Sequence, residues 1–357
     1  MAELRQILEL SRKARENGEE VCLATVVRVE GSSYRKPGAR MLLTSGGRRV
    51  GTISGGCLEA EVQKKIWWLT GSGSTVQRYS SFYDEDSEMP YGLGCGGTVH
   101  VLLERGNAAE CVLKALQQGA DRRSGIAIVT VIDTNCGDIC GTRLIVSAES
   151  EEGGTVLFGE EHSPWKAQAL RVLRERRSNW LREATVFVEY VPPPTALFIF
   201  GAGDDAQPLV EFAHRLGWVT TVIDGRSHLV TRERFPLADN TILFSAFDAQ
   251  QMQGNDAAVI LTHSYEQDRA ALQLLLPREL AYLGLLGPRL RTTRLLEQVA
   301  PELGLTIDQC RARLHSPIGL DIGAKNPAAI ALAITAEIHA VLERAGTQLT
   351  LASAAHA

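Results

Sequence analysis

Short apolar runs of strand length alternate along this chain with stretches of helical period, and their order predicts two domains. Leu4, Ile7, Leu8 and Leu10 to Ala14 recur at helical spacing and predict a short amphipathic helix, and Val21 to Val29 reads as a buried strand. Met41 to Thr44 and Arg48 to Ile53 predict a hairpin around Ser45-Gly46-Gly47. Ser54-Gly55-Gly56-Cys57-Leu58-Glu59 opens a helix that runs to about Leu69. Thr98 to Leu103, Ile126 to Asp133, Thr142 to Val146 and Thr155 to Phe158 are further strands, Trp165 to Arg176 is a helix, and Thr185 to Val191 is a last strand. No internal repeat is visible. These runs predict a mixed α+β domain over residues 1–191, closed by the stiff linker Pro192-Pro193-Pro194.

The second domain, residues 195–345, opens on Thr195 to Phe200, an apolar strand that enters the turn Gly201-Ala202-Gly203-Asp204-Asp205-Ala206. A helical stretch through Leu209 to Ala213 follows, then a β-branched run from Trp218 that ends on Asp224. Strand, Gly-x-Gly-x-x-Ala turn, helix and an acid about twenty residues beyond the glycines are the opening of a Rossmann unit. Gly201 permits the tight turn, Gly203 lets a pyrophosphate approach the backbone, and Asp224 is placed to accept from a ribose diol. Thr241 to Phe244, Ala257 to Thr262 and Tyr282 to Leu286 alternate with helical stretches, which implies a parallel, doubly wound sheet. Ligands of such sheets gather at strand C-terminal ends, here Gly201, Asp224, Thr262-His263-Ser264 and Gly287-Pro288-Arg289. Asn326-Pro327 starts a final helix to about Leu342, and residues 346–357 are expected to be a disordered tail.

Two features argue against a dinucleotide at the turn. Asp204 and Asp205 repel a phosphate bound there, and Pro208 removes a backbone donor from the start of the helix. The alternative that keeps the cofactor is an NAD(P)-dependent oxidoreductase, for which His263 is the candidate acid-base group; a hydrogen-bonded structural histidine reads the same way.

Composition narrows the class. With 357 residues, 45% of them hydrophobic, there is material for about two cores, and the net charge of -5 argues against a nucleic-acid binder. No apolar run of membrane-spanning length and no export signal is evident, so the cytoplasm is expected. The seven cysteines are scattered, which predicts mostly free thiols; Cys136-x-x-x-Cys140 is a metal or disulfide pair on one reading and loop packing on the other.

Within this composition, two glycine-and-cysteine turns stand out: Gly55-Gly56-Cys57 and Gly92-Leu93-Gly94-Cys95-Gly96-Gly97. Amides at a helix start bind anions and lower a thiol's pKa, which makes Cys57 a candidate reactive thiolate or ligand; a buried thiol beside a tight turn is the other reading. Arg28, Arg35, Lys36, Arg40, Arg48 and Arg49 form a basic stretch against Glu30 alone, suited to a phosphorylated ligand or to a solvated hairpin. The acidic run Asp84 to Glu88 reads as a solvated loop.

Taken together, the motifs resemble those of the xanthine dehydrogenase accessory factors, XdhC/CoxI type. They are Gly31-Ser32-Ser33 with Pro37 to Met41, Gly51 to Glu59, Gly94-Cys95-Gly96-Gly97, Gly201-Ala202-Gly203 with Asp224-Gly225-Arg226, Tyr282 to Gly287, and Gly319 to Ala324. The resemblance spans both domains in order. It implies a maturation factor that binds molybdenum cofactor, protects it while a cysteine desulfurase supplies its sulfido ligand, and hands it to a molybdenum hydroxylase apo-enzyme. It also implies a homodimer, and a cofactor-carrying chaperone in place of a turnover enzyme. The implied cofactor-binding residues are Gly55, Gly56, Cys57, Gly94, Cys95, Gly96, Arg35 and Arg40, with Cys57 and Cys95 as candidate molybdenum ligands. In the second domain they are Gly201, Ala202, Gly203, Asp224 and Arg226, for NAD(P) or another nucleotide.

Overall fold

The computed structural model describes residues 2–56, 58–80, 97–133, 140–150, 153–181 and 185–343. Cys57, the acidic run 84–88, Gly94, Cys95, Gly96, Cys136 and the tail expected over 346–357 lie outside the described residues. The chain divides into two compact units, one from Glu3 to Pro194 and one from Thr195 onward.

The first unit is one topology used twice. Helix α1 (Ala2–Glu16) leads into strands β1 (Val21–Gly31), β2 (Arg40–Thr44) and β3 (Arg49–Gly51), then helix α2 (Glu59–Leu69) and strands β4 (Thr75–Ser80) and β5 (Gly97–Arg105). The sequence of elements then restarts. Helix α3 (Asn107–Asp121) precedes β6 (Ile126–Val131), β7 (Arg143–Ser150), β8 (Gly153–Phe158), helix α4 (Lys166–Glu175), β9 (Asn179–Leu181) and β10 (Val186–Val191). The two antiparallel sheets have matching orders, β3-β2-β1-β5-β4 and β8-β7-β6-β10-β9.

Register matches as well. Leu23 pairs with Glu104 in the first sheet as Ile128 pairs with Glu189 in the second, and Thr25 pairs with Arg40 as Thr130 pairs with Arg143. The repeat that the sequence conceals is therefore plain in the backbone. Helix α3 and strand β4 have no counterpart among the expected elements, although α3 buries Ala109, Val112, Leu113 and Leu116 on a regular helical face.

Alternation along the strands decides what each sheet face covers. From β1, Val21 and Leu23 face a core shared by α1, α3 and both sheets, whereas Cys22, Ala24 and Val26 face α2. A second seam between the sheets is built from equivalent residues of the two copies, Val27 with Ile132 and Leu102 with Phe187. Across the unit run two buried ion pairs. Arg40 of the first copy donates to Glu189 of the second through Nη1 and Nη2, and Arg143 of the second binds Glu104 of the first. Each arginine also donates to the carbonyl two residues before it, Gly38 or Gly141.

The second unit is a parallel five-stranded sheet in the order β13-β12-β11-β14-β15. Its elements are β11 (Ala196–Phe200), α5 (Ala206–Arg215), β12 (Val219–Asp224), β13 (Asn240–Leu243), β14 (Ala257–Ile260), α6 (Tyr265–Leu275), β15 (Tyr282–Leu285), α7 (Arg289–Glu302), α8 (Ile307–Ala312) and α9 (Pro327–Glu343). Phe198 and Phe200 face the core under α6 and α7; Leu197 and Ile199, one residue out of phase, face the core under α5 and α9. Both faces are covered, so the strands read as continuous apolar runs. This is the doubly wound Rossmann-type arrangement. Pro208 falls in the first turn of α5, where a missing amide leaves no helical bond unmade. No helix among the described residues is long and apolar enough to cross a membrane.

Two outcomes are expected from this architecture. Removing one partner of a buried pair, as in Arg143→Met or Glu104→Leu, should cost about 3–5 kcal/mol in denaturant unfolding, and the double replacement should recover most of that loss. A fragment of residues 195–343 should unfold cooperatively by itself; an insoluble or molten fragment would show the boundary to be misplaced.

Candidate functional site

Three glycine-rich segments meet at one end of the first sheet. Gly31 and Gly97 are paired in register at the ends of β1 and β5. The chain beyond β1 doubles back so closely that a methyl group at Gly97 would lie 2.1 Å from the Ser32 carbonyl oxygen. Two residues on, the Tyr34 ring lies against Gly55, where a methyl would come within 2.9 Å of it. The Ser32–Tyr34 loop therefore lies between Gly97, two residues after Cys95, and Gly55, two residues before Cys57. Tyr34 is 78% exposed, so the site presents an aromatic ring to solvent. Thr52 and Arg35, from either side, both bind Glu3 of α1.

The turn before α2 is tied by a single carboxylate. Glu59, 2% exposed, accepts from the backbone amides of Ile53 at 2.9 Å, Ser54 at 2.9 Å, Gly55 at 3.2 Å and Gly56 at 2.9 Å, and from the Ser54 hydroxyl at 2.6 Å. The same hydroxyl oxygen accepts from the Leu58 amide at 3.0 Å, so the chain is held on both sides of residue 57. Gly55 and Gly56 have φ of 115° and 128°, which side chains rarely adopt. Burial raises the Glu59 carboxyl, but the hydroxyl and amide donors outweigh it and bring the pKa to about 2. The amides that the sequence offers to an anion or to the Cys57 thiolate are thus already engaged by the chain's own carboxylate. Glu59 carries the turn, and sequence reading assigned it no role beyond its place in the motif.

The basic stretch is mostly paired. Arg40 is buried against Glu189, which makes it a structural cation and removes it from the candidates for a phosphate. Arg35 pairs with Glu3, and Arg48 with Glu19 at 2.7 Å. Of the basic groups that do line a cavity, only Arg28 belongs to that stretch. Arg28, His100 and Arg78 are neighbours across β1, β5 and β4, and with Ser74 and Cys140 they border a cavity of about 500 Å³. Glu30 bridges the first two, 2.9 Å from Arg28 and 3.2 Å from His100. Burial holds His100 below the usual histidine range; Arg28 and Arg78 add to this against the pull of Glu30. Burial also raises the Cys140 thiol to about 11, so it is neutral at pH 7. Only β-register reveals this row, since the three residues lie far apart in sequence. Among the described residues no three His, Cys, Asp or Glu side chains are grouped as a metal site.

In the second unit the predicted residues do come together at the C-terminal ends of the strands. Gly201 is required by crowding, because a methyl there would lie 2.4 Å from the Leu261 carbonyl oxygen. Asp224 accepts from the Ala202 amide at 2.8 Å, the Arg226 amide at 2.9 Å, and Arg226 Nε and Nη2 at 2.9 and 2.7 Å. Burial raises its carboxyl, yet Arg226 and these amides hold it below the usual range. Its side chain is fully buried, so it faces no ribose as it stands. His263 has a positive φ of 58°, and its Nε2 lies 2.7 Å from Asp205 Oδ2.

Relatives match the chain along nearly its whole length. The chain is 33% identical over 335 residues to a Bacillus subtilis protein named as a probable subunit of xanthine dehydrogenase, covering 90% of this chain and 93% of that one. It belongs to the XdhC and CoxI family. The family's own pattern matches residues 14–80, and its second pattern, described as the XdhC Rossmann domain, matches residues 197–338. The "Molybdenum cofactor insertion chaperone PaoD" of Escherichia coli is 24% identical over 347 residues, 94% of this chain and 88% of that one. A crystal structure titled as a xanthine dehydrogenase from Bacillus halodurans superposes with a TM-score of 0.74 at 31% identity, over 96% of this chain and 97% of that one.

Glu59 gives the site a pH signature. Its folded pKa lies below its ordinary value, so its stabilisation is complete above about pH 4.5 and is lost as pH falls toward about 2. Glu59→Ala should cost about 2–4 kcal/mol at neutral pH by leaving buried amides unpaired. Between about pH 5 and pH 2 the wild type should lose more stability than this variant in urea unfolding.

Proposed function

We propose that this protein is an accessory factor of a molybdenum hydroxylase that binds molybdenum cofactor and inserts it into the apo-enzyme. The observation that carries this reading is the meeting of the Ser54–Gly56 turn and the Gly97 end of β5 on the Ser32–Tyr34 loop. These are the segments from which Cys57 and Cys95 extend. Two thiols on neighbouring segments suit a soft, sulfur-rich cargo. The cofactor brings a pterin, a phosphate and a molybdenum centre. The cavity beside Arg28, Arg78 and His100 offers donors to the phosphate, and the exposed Tyr34 ring offers a flat apolar face.

The duplication strengthens this reading. Sixteen residues separate Ser80 from Gly97 in the first copy, whereas four separate Leu181 from Val186 in the second. The second copy also has Gly159 to Trp165 where the first has the Ser54-Gly55-Gly56-Cys57 turn. The longer loop, the glycine-and-cysteine turn and both candidate thiols belong to one copy. The relatives named for xanthine dehydrogenase and for cofactor insertion support the same assignment. The finer parts of the proposal are protection of the cofactor during sulfuration by a cysteine desulfurase, delivery from a homodimer, and action in the cytoplasm.

The test is activation of a molybdenum hydroxylase apo-enzyme by purified, cofactor-loaded protein, with mass spectrometry of what the protein carries from molybdenum-replete cells. Cys57→Ser and Cys95→Ser should each lower activation at least about tenfold while the thermal midpoint changes little. Full activation by both variants, or loss explained wholly by unfolding, would remove the thiols from the proposal.

A further inference from the structure

The Rossmann-type turn looks built for a dinucleotide, but its residues do not fit one. A pyrophosphate needs open space against Gly203 and donors at the start of the following helix. Here that space is filled. A methyl group at Gly203 would lie 2.7 Å from Asp205 Oδ1 and 3.9 Å from the His263 ring. Asp205 is held in place by His263 through Oδ2, while Oδ1 is buried with no donor against it. A phosphate oxygen arriving at Gly203 would therefore meet a bare carboxylate lone pair. Asp204, the neighbouring acid, is held by Arg234 at 2.8 Å, and Arg234 also reaches the Ala202 carbonyl.

The ribose end of the site is closed by a second contact. Asp224, the acid expected to receive the ribose diol, is saturated by the Ala202 amide and by the Arg226 amide and guanidinium. The same contact engages two nitrogens of Arg226, the cation that a 2′-phosphate would require.

We infer that this domain rejects dinucleotides, with Asp205 as the residue that excludes the pyrophosphate and the Asp224–Arg226 pair closing the ribose subsite. The glycines of the turn serve its geometry, and His263 serves to hold Asp205. The inference is independent of how the first unit handles its cargo, since it concerns the second unit alone. It also removes the basis for an NAD(P)-dependent oxidoreductase.

The experiment titrates the full-length protein with NADH and with NADPH, reading dihydronicotinamide fluorescence, beside Asp205→Ser and Asp205→Asn. Thermal melts check that each variant is folded. The wild type is expected to show no saturable binding below about 1 mM. A folded Asp205 variant is expected to bind at least one of the two at least about tenfold more tightly than that limit. Saturable wild-type binding in the micromolar range overturns the inference. So does a folded pair of variants as silent as the wild type, because Asp205 would then not be the barrier. If neither variant folds, the wild-type titration still decides: saturation overturns the inference and silence supports it.

Discussion

The first unit depends on two arginine–glutamate pairs that cross between its halves. Each is almost fully buried, with side chains 1–8% exposed, and each links β2 or β7 of one copy to β10 or β5 of the other. Desolvating four charged groups is expensive, and attraction repays it only when geometry is tight and remaining donors are satisfied. The Gly38-Ala39-Arg40 and Gly141-Thr142-Arg143 turns contribute in the same way, since each arginine donates back to the glycine carbonyl of its own turn, while Arg40 Nε stays buried without an acceptor. Apolar seams alone would tolerate sliding of one sheet over the other. A charge pair does not, because a shift of one residue strands two ions in the core. The pairs therefore fix how the two copies are joined.

Legibility in the sequence followed physical scale. Strands whose alternate residues face different cores, such as β1 and β11, announce themselves through composition alone, and the parallel sheet of the second unit was readable from its strand, turn and helix order. The duplication was hidden for a physical reason. What the two copies must share is backbone register and a few contacts, and Gly-x-Arg with a distant glutamate is too sparse a signal to see without the pairing. Helix α3 lies outside the expected elements although its amphipathic spacing is regular. The row of Arg28, Arg78 and His100 belongs to another class: it exists only across strands, and no spacing along the chain encodes it.

Charge was the least legible feature. A run of basic residues in sequence suggested a phosphate site, yet Arg35, Arg40 and Arg48 each answer a glutamate that is remote in the chain, namely Glu3, Glu189 and Glu19. Local sequence shows the cations, and tertiary structure supplies the anions. An excess of one sign over twenty residues is therefore a statement about the partners those residues find in the fold as much as about ligands.

The two glycine-rich turns that most resemble anion sites share one solution. At Ser54-Gly55-Gly56, the carboxylate of Glu59, at the start of the next helix, turns back and takes the amides. At Gly201-Ala202-Gly203, Asp224 takes the Ala202 amide and Asp205 stands against Gly203. In each case exposed amides at a helix entry attract negative charge, and the chain provides it within a few residues or from the adjoining strand. Glycine in such a turn marks backbone curvature and close approach, whatever then occupies the amides. The acids that accompany it, Glu59 in one turn and Asp205 and Asp224 in the other, decide whether that occupant is a ligand or the protein itself. Here the first turn gives four amides to Glu59, and the second gives one to Asp224 while Asp205 fills the space against Gly203.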